Sequence, residues 1–255
     1  MKVKCFDCDE VIEADSLEML ADVFVTHGIR IHSWEYPEEA IRNYACNYAE
    51  AVERLTGDTA RKEEIGEITI HPVTKDSIDD WLHFFDHDGF ADNPGWASCY
   101  CLQPHLPTTD ENLDRPWRES RSIMVKRLLK GETFGYLAYV DNKPVGWVNA
   151  SLCSEYKLLQ QSDPNGPESA SIIGISCFVV APPYRRHGIA SALLDRVIAD
   201  AASRGALWIE GYPRNKPESK DDAHFRGPSS MYTNRGFQPV VVRGRDTVMR
   251  LQVHY

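Results

Sequence analysis

Residues 174–190, GISCFVVAPPYRRHGIA, constrain this chain more than any other stretch. An apolar, β-branched run reads as a buried strand and stops at Pro182-Pro183. A helix follows, with Ile189, Leu193, Leu194, Val197, Ile198 and Ala201 at a 3.6-residue period, and Gly205 ends it. Between strand and helix lies Arg185-Arg186-His187-Gly188-Ile189-Ala190. A helix N-terminus presents unpaired N–H groups and partial positive charge, and a glycine there lets an anion approach the backbone. Flanking arginines add bidentate donors. A phosphate-bearing ligand is therefore the expectation, against the plainer alternative of a surface strand–turn–helix.

The rest of the chain narrows the class. Its 255 residues suffice for one large or two modest domains. No apolar run nears the roughly 20 residues of a membrane span, and MKVKCFDCDEVIEAD lacks the apolar core of a signal peptide. Seven cysteines, an odd number, suit free thiols or metal ligands in a reducing cytoplasm rather than a disulfide framework. A cytoplasmic location with no membrane partner is the expectation. The net charge of −10 is uneven: residues 1–58 hold 5 Lys/Arg and 13 Asp/Glu, hence −8, which leaves −2 for the remainder. Nucleic-acid phosphates would repel so acidic a segment, so no nucleic-acid partner is expected.

Three regions are expected: a small Cys/His helical module at 1–58, a polar linker at 59–65 and a larger domain at 66–255. In the first, Asp15 with Glu18 reads as a capping box for a helix bearing Leu17, Leu20, Ala21 and Phe24, ended by Gly28. A second helix begins near Pro37, presents Ile41, Tyr44, Ala45, Tyr48 and Val52, and stops by Gly57. So short a segment calls for an extra staple. Cys5, Cys8, His27 and His32 form C-x2-C-x18-H-x4-H, which suits tetrahedral zinc as a structural ion, with Cys46 as an alternative fourth ligand. Cysteines packed as small apolar groups beside surface histidines are the other reading.

The larger domain reads as a strand near Glu67–His71, a helix from about Asp76, an irregular stretch 90–116 and a helix at 117–130. A hairpin at 134–152 turns at Asp141-Asn142-Lys143. After the phosphate strand and helix come a strand at Leu207–Gly211, a loop, a short helix, and two final strands. The fold class is α+β: a mixed, mostly antiparallel sheet flanked by helices and preceded by a small helical, zinc-binding module.

Arg-x-x-Gly-x-Ala after a strand ending in Val-x-Pro resembles the acetyl-CoA pyrophosphate loop of the GNAT N-acetyltransferase superfamily. It lacks the three glycines of a Rossmann loop and the Gly-Lys-Ser/Thr of a P-loop. Downstream, Met231-Tyr232-Thr233-Asn234-Arg235-Gly236-Phe237 resembles the helix whose tyrosine approaches the cofactor sulfur, with the Gly-Phe that opens the next strand. The resemblance covers about 66–255 and implies a GNAT-like sheet and acetyl-CoA as co-substrate. It implies that Arg185, Arg186, His187, Gly188, Ile189, Ala190 and Ser191 hold the pyrophosphate, and that Phe178, Val179 and Val180 pair with the pantetheine arm where strands splay. It also implies Tyr232 as general acid towards the leaving thiolate. Where many members carry an Asn seven residues before that tyrosine, this chain has Phe225; Ser229 or Ser230 would have to supply the contact.

Acetyl transfer to an amine also needs the amine neutral. Glu210, in Trp208-Ile209-Glu210-Gly211-Tyr212-Pro213, is a candidate base, with a surface-facing strand glutamate as the plain alternative; His224 and ordered water are the other options. Trp96-Ala97-Ser98-Cys99-Tyr100-Cys101 falls where such folds form the acceptor side; its thiols read first as core filler, and a metal or redox pair lacks partners at known spacing. The expected activity is transfer of an acetyl group from acetyl-CoA to a primary amine of a small molecule or a lysine. A CoA-binding regulatory or scaffolding protein is the alternative. Oligomeric state is not legible.

Overall fold

The computed structural model describes residues 1–107, 109, 114–159, 166–215 and 225–254. Strands β1 (Lys2–Lys4) and β2 (Val11–Glu13) form an antiparallel hairpin that turns Val3 and Ile12 inward and leaves Cys5 and Cys8 at its tip. Helix α1 (Leu17–His27) packs Leu20 and Phe24 against this hairpin. Its cap differs from the expected Asp15–Glu18 box. Ser16, with extended backbone, accepts the Met19 N–H at 3.2 Å, which places the start one residue later.

Gly28 does not end the helix either. It keeps right-handed angles, and the chain winds on as a wider π-turn over Gly28–His32, stopping at left-handed Ser33. A Cβ at position 28 would lie 1.9 Å from Trp34 Cε3, so glycine is there for close packing rather than to break the helix. The i→i+5 repeat of that turn carries His32 back beside His27.

Helix α2 (Glu38–Arg54) follows Pro37 and closes the small core with Ile41, Ala45 and Ala49. Its far end belongs to the rest of the molecule. Asn47 exchanges hydrogen bonds with the Arg115 carbonyl and the Trp117 N–H, both at 2.9 Å. The Arg54 guanidinium lies 4.4 Å from the Trp117 ring centre and donates to the carbonyls of Phe85 and Asp86. The linker is anchored too: the Lys62 N–H donates to the Pro183 carbonyl at 3.0 Å.

The larger region contributes β3 (Ile68–Pro72), α3 (Ile78–His83, prolonged by a π-turn over Phe84–Asp88), α4 (Trp117–Lys130), β4 (Gly135–Val140) and β5 (Lys143–Leu152). Then come β6 (Ile172–Val180), α5 (Ile189–Ala201), β7 (Trp208–Gly211), α6 (Ser229–Thr233), β8 (Gln238–Arg243) and β9 (Asp246–Gln252). Among the described residues the sheet runs β3-β4-β5-β6-β7-β9-β8, antiparallel except where β6 meets β7. This is the expected GNAT-like α+β layout.

Alternation along β5 assigns the layers. Gly146 faces Ile189 and Leu193 of α5, while Trp147 faces Trp81 and Phe85 on the opposite side. Two irregularities in β6 matter for the site. Pairing with β7 runs only from Ile172 to Ile175, so Ser176–Val180 splays away from β7. The pairing with β5 steps from Ala150↔Ile175 to Asn149↔Cys177, which leaves Ser176 as an unpaired bulge residue.

Candidate functional site

The splay opens a cavity of about 780 Å³, a size that accommodates a large ligand. Phe178, Val179 and Val180 line one wall, and Arg185, Arg186, Gly188, Ile189, Ala190 and Ser191 line another. Trp96, Cys99 and Cys101 face them from the irregular segment before α4. Nine of the residues singled out from sequence for cofactor binding thus share one space.

The loop that opens α5 has the geometry an anion needs. Arg186 (φ 67°) and Gly188 (φ 82°) are left-handed, and Gly188 sits at the N-cap with open space where a Cβ would stand. The first-turn N–H groups of Ile189, Ala190 and Ser191 have no acceptor within the helix. The arginines behave differently from expectation. Arg185 spends its guanidinium on both oxygens of Asp92 and donates from Nε to the Val180 carbonyl at 3.0 Å. Arg226 pairs with Asp246 and Arg235 with Asp195. Arg185 and Arg235 brace the loop and α5, and Arg226 ties its own segment to β9, so the backbone amides of the turn carry the anion-binding character.

His187 is turned away. Its Nε2 meets the Lys62 carbonyl at 2.9 Å, and it is absent from the described cavity wall. Tyr232 stands just behind that wall, beside Gly227, and is fully buried. Its hydroxyl donates to the Arg226 carbonyl at 2.7 Å, and burial pushes its pKa far above the usual 10. The adjacent Phe225 carbonyl accepts the Phe178 N–H at 2.6 Å, so one segment covers both groups. A ligand pairing along β6 has to displace Phe225 from that edge.

Glu210 is not brought to the cavity. It lies on the face of β7 opposite Gly211, and a Cβ on Gly211 would strike the Tyr232 ring. Its Oε1 receives Arg250 Nε at 2.9 Å and Nη2 at 2.7 Å, and its Oε2 receives the Tyr212 hydroxyl at 2.9 Å. A carboxylate so engaged, with no exposure, does not serve as a base for a ligand in this cavity. His224 lies outside the described residues. Asp114, which the sequence reading passed over, is the one carboxylate among the described lining residues. Burial of its carboxyl raises its pKa to about 6, although the residue itself stays open to the rim. No local pattern marks it; only the return of the chain before α4 puts it there.

Three thiols line the wall: Cys99, Cys101 and Cys177. Burial pushes Cys99 up to about 11 and Cys101 well above its ordinary value, so these two stay protonated and are poor nucleophiles. Cys101 and Tyr100 hold left-handed backbones (φ 54° and 46°), a costly arrangement for non-glycine residues. The Asn149 amide holds it by donating to the Cys101 carbonyl at 3.1 Å.

A second cluster lies in the N-terminal module. Ligand atoms of Cys5, Cys8, His27 and His32 all fall within 4.8 Å of one another. Cys5 Sγ to His32 Nε2 and Cys8 Sγ to His27 Nε2 are both 3.5 Å, and the two Nε2 atoms are 3.2 Å apart. A zinc tetrahedron with bonds of about 2.3 Å to sulfur and 2.05 Å to nitrogen has edges of roughly 3.5 Å (S···N) and 3.3 Å (N···N). The donor set fits. Glu10 stands 3.6 Å behind His27 Nδ1, where an outer carboxylate orients a ligating imidazole. Cys46 is not part of this group.

The family model described as Acetyltransferase (GNAT) family matches residues 96–218. Residues 96–218 therefore match a GNAT acetyltransferase domain, a class whose activity is acyl transfer. Similar solved structures include the ribosomal-protein-S18-alanine N-acetyltransferase from Escherichia coli (14% identity, 74% of this chain and 96% of that chain, TM-score 0.42). Another is the paia N-acetyltransferase from Thermoplasma acidophilum in complex with coenzyme A (14%, 73% and 99%, 0.45). A third is the GNAT domain of PAT from S. lividans (14%, 73% and 91%, 0.46). No curated protein matches the chain. Among the described residues, no helix is long and apolar enough to cross a membrane.

Proposed function

We propose that the protein transfers an acetyl group from acetyl-CoA to a primary amine by direct attack of the amine on the thioester. The observation that carries this reading is the cavity itself. One space joins a helix N-terminus with left-handed Gly188 to the splayed edge of β6 and to a wall containing Asp114. The phosphates would sit on the N–H groups of residues 188–191, with Arg185 and Arg235 holding that turn in place through Asp92 and Asp195. The pantetheine arm would run along Val180 towards Phe178 once the Phe225 carbonyl yields the Phe178 N–H.

The amine nitrogen bonds to the acetyl carbon, the C–S bond breaks, and the amine proton leaves to water or to the departing thiolate. Tyr232 supplies a hydrogen bond to that sulfur after its hydroxyl is released from Arg226. Its raised proton affinity suits a hydrogen-bond donor better than full proton transfer, since each pKa unit of mismatch costs about 1.4 kcal/mol. Asp114 offers an acidic patch for a cationic acceptor, a small polyamine or a lysine side chain. Zinc held by Cys5, Cys8, His27 and His32 would staple the N-terminal module, a structural role with no open coordination position.

The test combines two measurements. Titration with CoA is expected to show one site per chain. Thiol release from acetyl-CoA is then followed against spermidine, N-terminally blocked lysine and poly-lysine. Binding without amine-dependent release would favour a CoA-binding regulator instead. Metal analysis of the purified chain is expected to give one zinc, lost in Cys8→Ser.

A further inference from the structure

Phe6 is exposed where nothing in the fold asks for an aromatic ring. It stands between Cys5 and Cys8 at the hairpin tip, 47% exposed and outside the small core that Leu20, Phe24 and Ile41 form. Its ring nonetheless stacks on Trp34 at 4.5 Å, with 8° between the planes, and meets Tyr36 and Tyr44 edge-on at 6.4 and 5.1 Å. Tyr36 is 54% exposed as well. Scattered exposed apolar residues need no explanation, whereas a joined aromatic surface marks a contact site. Its border is acidic. Asp7 accepts the Trp34 Nε1–H at 2.7 Å, and both Asp7 and Glu35 are exposed. Lys4 and Arg42 do not offset them, being paired with Asp9 and with Glu38 and Asp22.

This surface reaches the cavity. The Tyr44 hydroxyl lies 2.8 Å from where a Cβ on Gly95 would stand, and Gly95 lines the cavity with Trp96 and Asp114. Asp114 is near enough to act electrostatically on that hydroxyl. The aromatic row therefore runs from the cavity mouth outward over the N-terminal module. A free polyamine small enough to enter beside CoA would leave that row bare; only a ligand with a longer body covers it. The charge of −8 on residues 1–58 selects a basic one. Lysine supplies both halves of the match, since its aliphatic stem covers a ring and its ammonium meets a ring face or a carboxylate.

We propose that the exposed face of Phe6, Tyr36 and Tyr44 is a docking surface for a lysine-rich polypeptide segment, from which one lysine side chain enters the cavity past Trp96 and Asp114 as the acetyl acceptor. This rests on the acetyl-CoA reading above. The transfer itself is unaltered: the lysine nitrogen bonds to the acetyl carbon, the C–S bond breaks, and the amine proton leaves to water or to the departing thiolate. The module takes part in no bond-making step and holds the neighbouring lysines while one reacts.

The experiment uses the whole chain and a blocked peptide of alternating lysine and alanine, compared with spermidine. A fluorescent form of the peptide is titrated into the CoA-loaded protein and read by anisotropy. Phe6→Ala, and separately Glu35→Lys combined with Tyr36→Ala, are each expected to weaken peptide binding by about tenfold or more, with CoA affinity unchanged. In turnover, the native chain is expected to prefer the peptide to spermidine by about tenfold in kcat/KM, and the variants to lose that preference through a higher KM for the peptide. Melting temperature and zinc content are expected to stay near native, because neither Phe6 nor Tyr36 belongs to the module core. The double variant leaves the Cys5–Cys8 turn intact and carries the test alone if Phe6→Ala loses zinc. Equal peptide affinity in the native chain and the double variant would overturn this inference and leave the acetyl-CoA reading standing. So would equal use of spermidine and peptide by the native chain, which would make a free polyamine the acceptor. Absence of CoA binding by the native chain would overturn both.

Discussion

The hydroxyl of the fully buried Tyr232 donates to the backbone carbonyl of Arg226, six residues earlier, at 2.7 Å. That bond seals the group expected to meet the leaving sulfur. Tyr232→Phe removes the donor with little change of shape. It is expected to lower the maximal rate while CoA affinity, read by titration, stays nearly intact. A folding cost of about 1 kcal/mol is also expected, since the Arg226 carbonyl loses its donor. An unchanged maximal rate would remove Tyr232 from the chemistry.

Glu210 and Arg250 form a buried pair, with the arginine side chain only 10% exposed. Glu210→Gln strands that cation, so a loss of roughly 3 kcal/mol or more is expected by denaturant titration. The shape of the pH–rate profile should survive per folded molecule, because the carboxylate does not face the cavity. A lost basic limb of that profile would return Glu210 to the role of base.

Gly211 packs against Tyr232 so closely that an added Cβ would lie 2.1 Å from its Cε1. Gly211→Ala therefore has to push the ring or the strand aside, at an expected cost of about 1–3 kcal/mol. Activity is expected to fall with it, since the Tyr232 ring leaves its place behind Gly227. Thermal melting and turnover measured on the same sample check both effects.

His105 supplies a pH dependence. Burial, aided by the nearby Arg127 charge, lowers its pKa from 6.5 to about 4. Between those values the unfolded chain binds the extra proton, so stability falls as pH drops from about 6.5 towards 4. The full contribution is of order 3 kcal/mol. Melting between pH 7 and pH 4.5 should show this slope, and His105→Gln should flatten it.

How much of this was legible in the sequence follows from the range of each interaction. The strand–turn–helix at 174–201 was readable because its period, its prolines and Gly188 are all local. The Cys/His set was readable from spacing alone, although the turn that assembles it was not. Gly28 looks like a helix breaker by type, whereas its need comes from Trp34 stacked across it. Glu210 looked available because alternation gives a strand two faces but does not say that both are covered. Here Arg250, 40 residues away, covers the second face. Arg185 looked free for phosphate because its partner, Asp92, lies 93 residues earlier. The bulge at Ser176 is a register shift between two strands, which one strand's sequence does not display.

The central claim is that the turn opening α5 holds the phosphates of CoA through backbone amides around Gly188. Calorimetric titration of CoA into the native chain and into Gly188→Val tests it most directly. Valine strains a left-handed position and places a branched side chain at an otherwise open N-cap. The account predicts one site per chain for the native protein and, well below both melting temperatures, at least tenfold weaker binding for the variant, whose melting temperature falls with the strain of about 1–2 kcal/mol. Native-like CoA affinity in Gly188→Val, or no binding at all by the native chain, would contradict it.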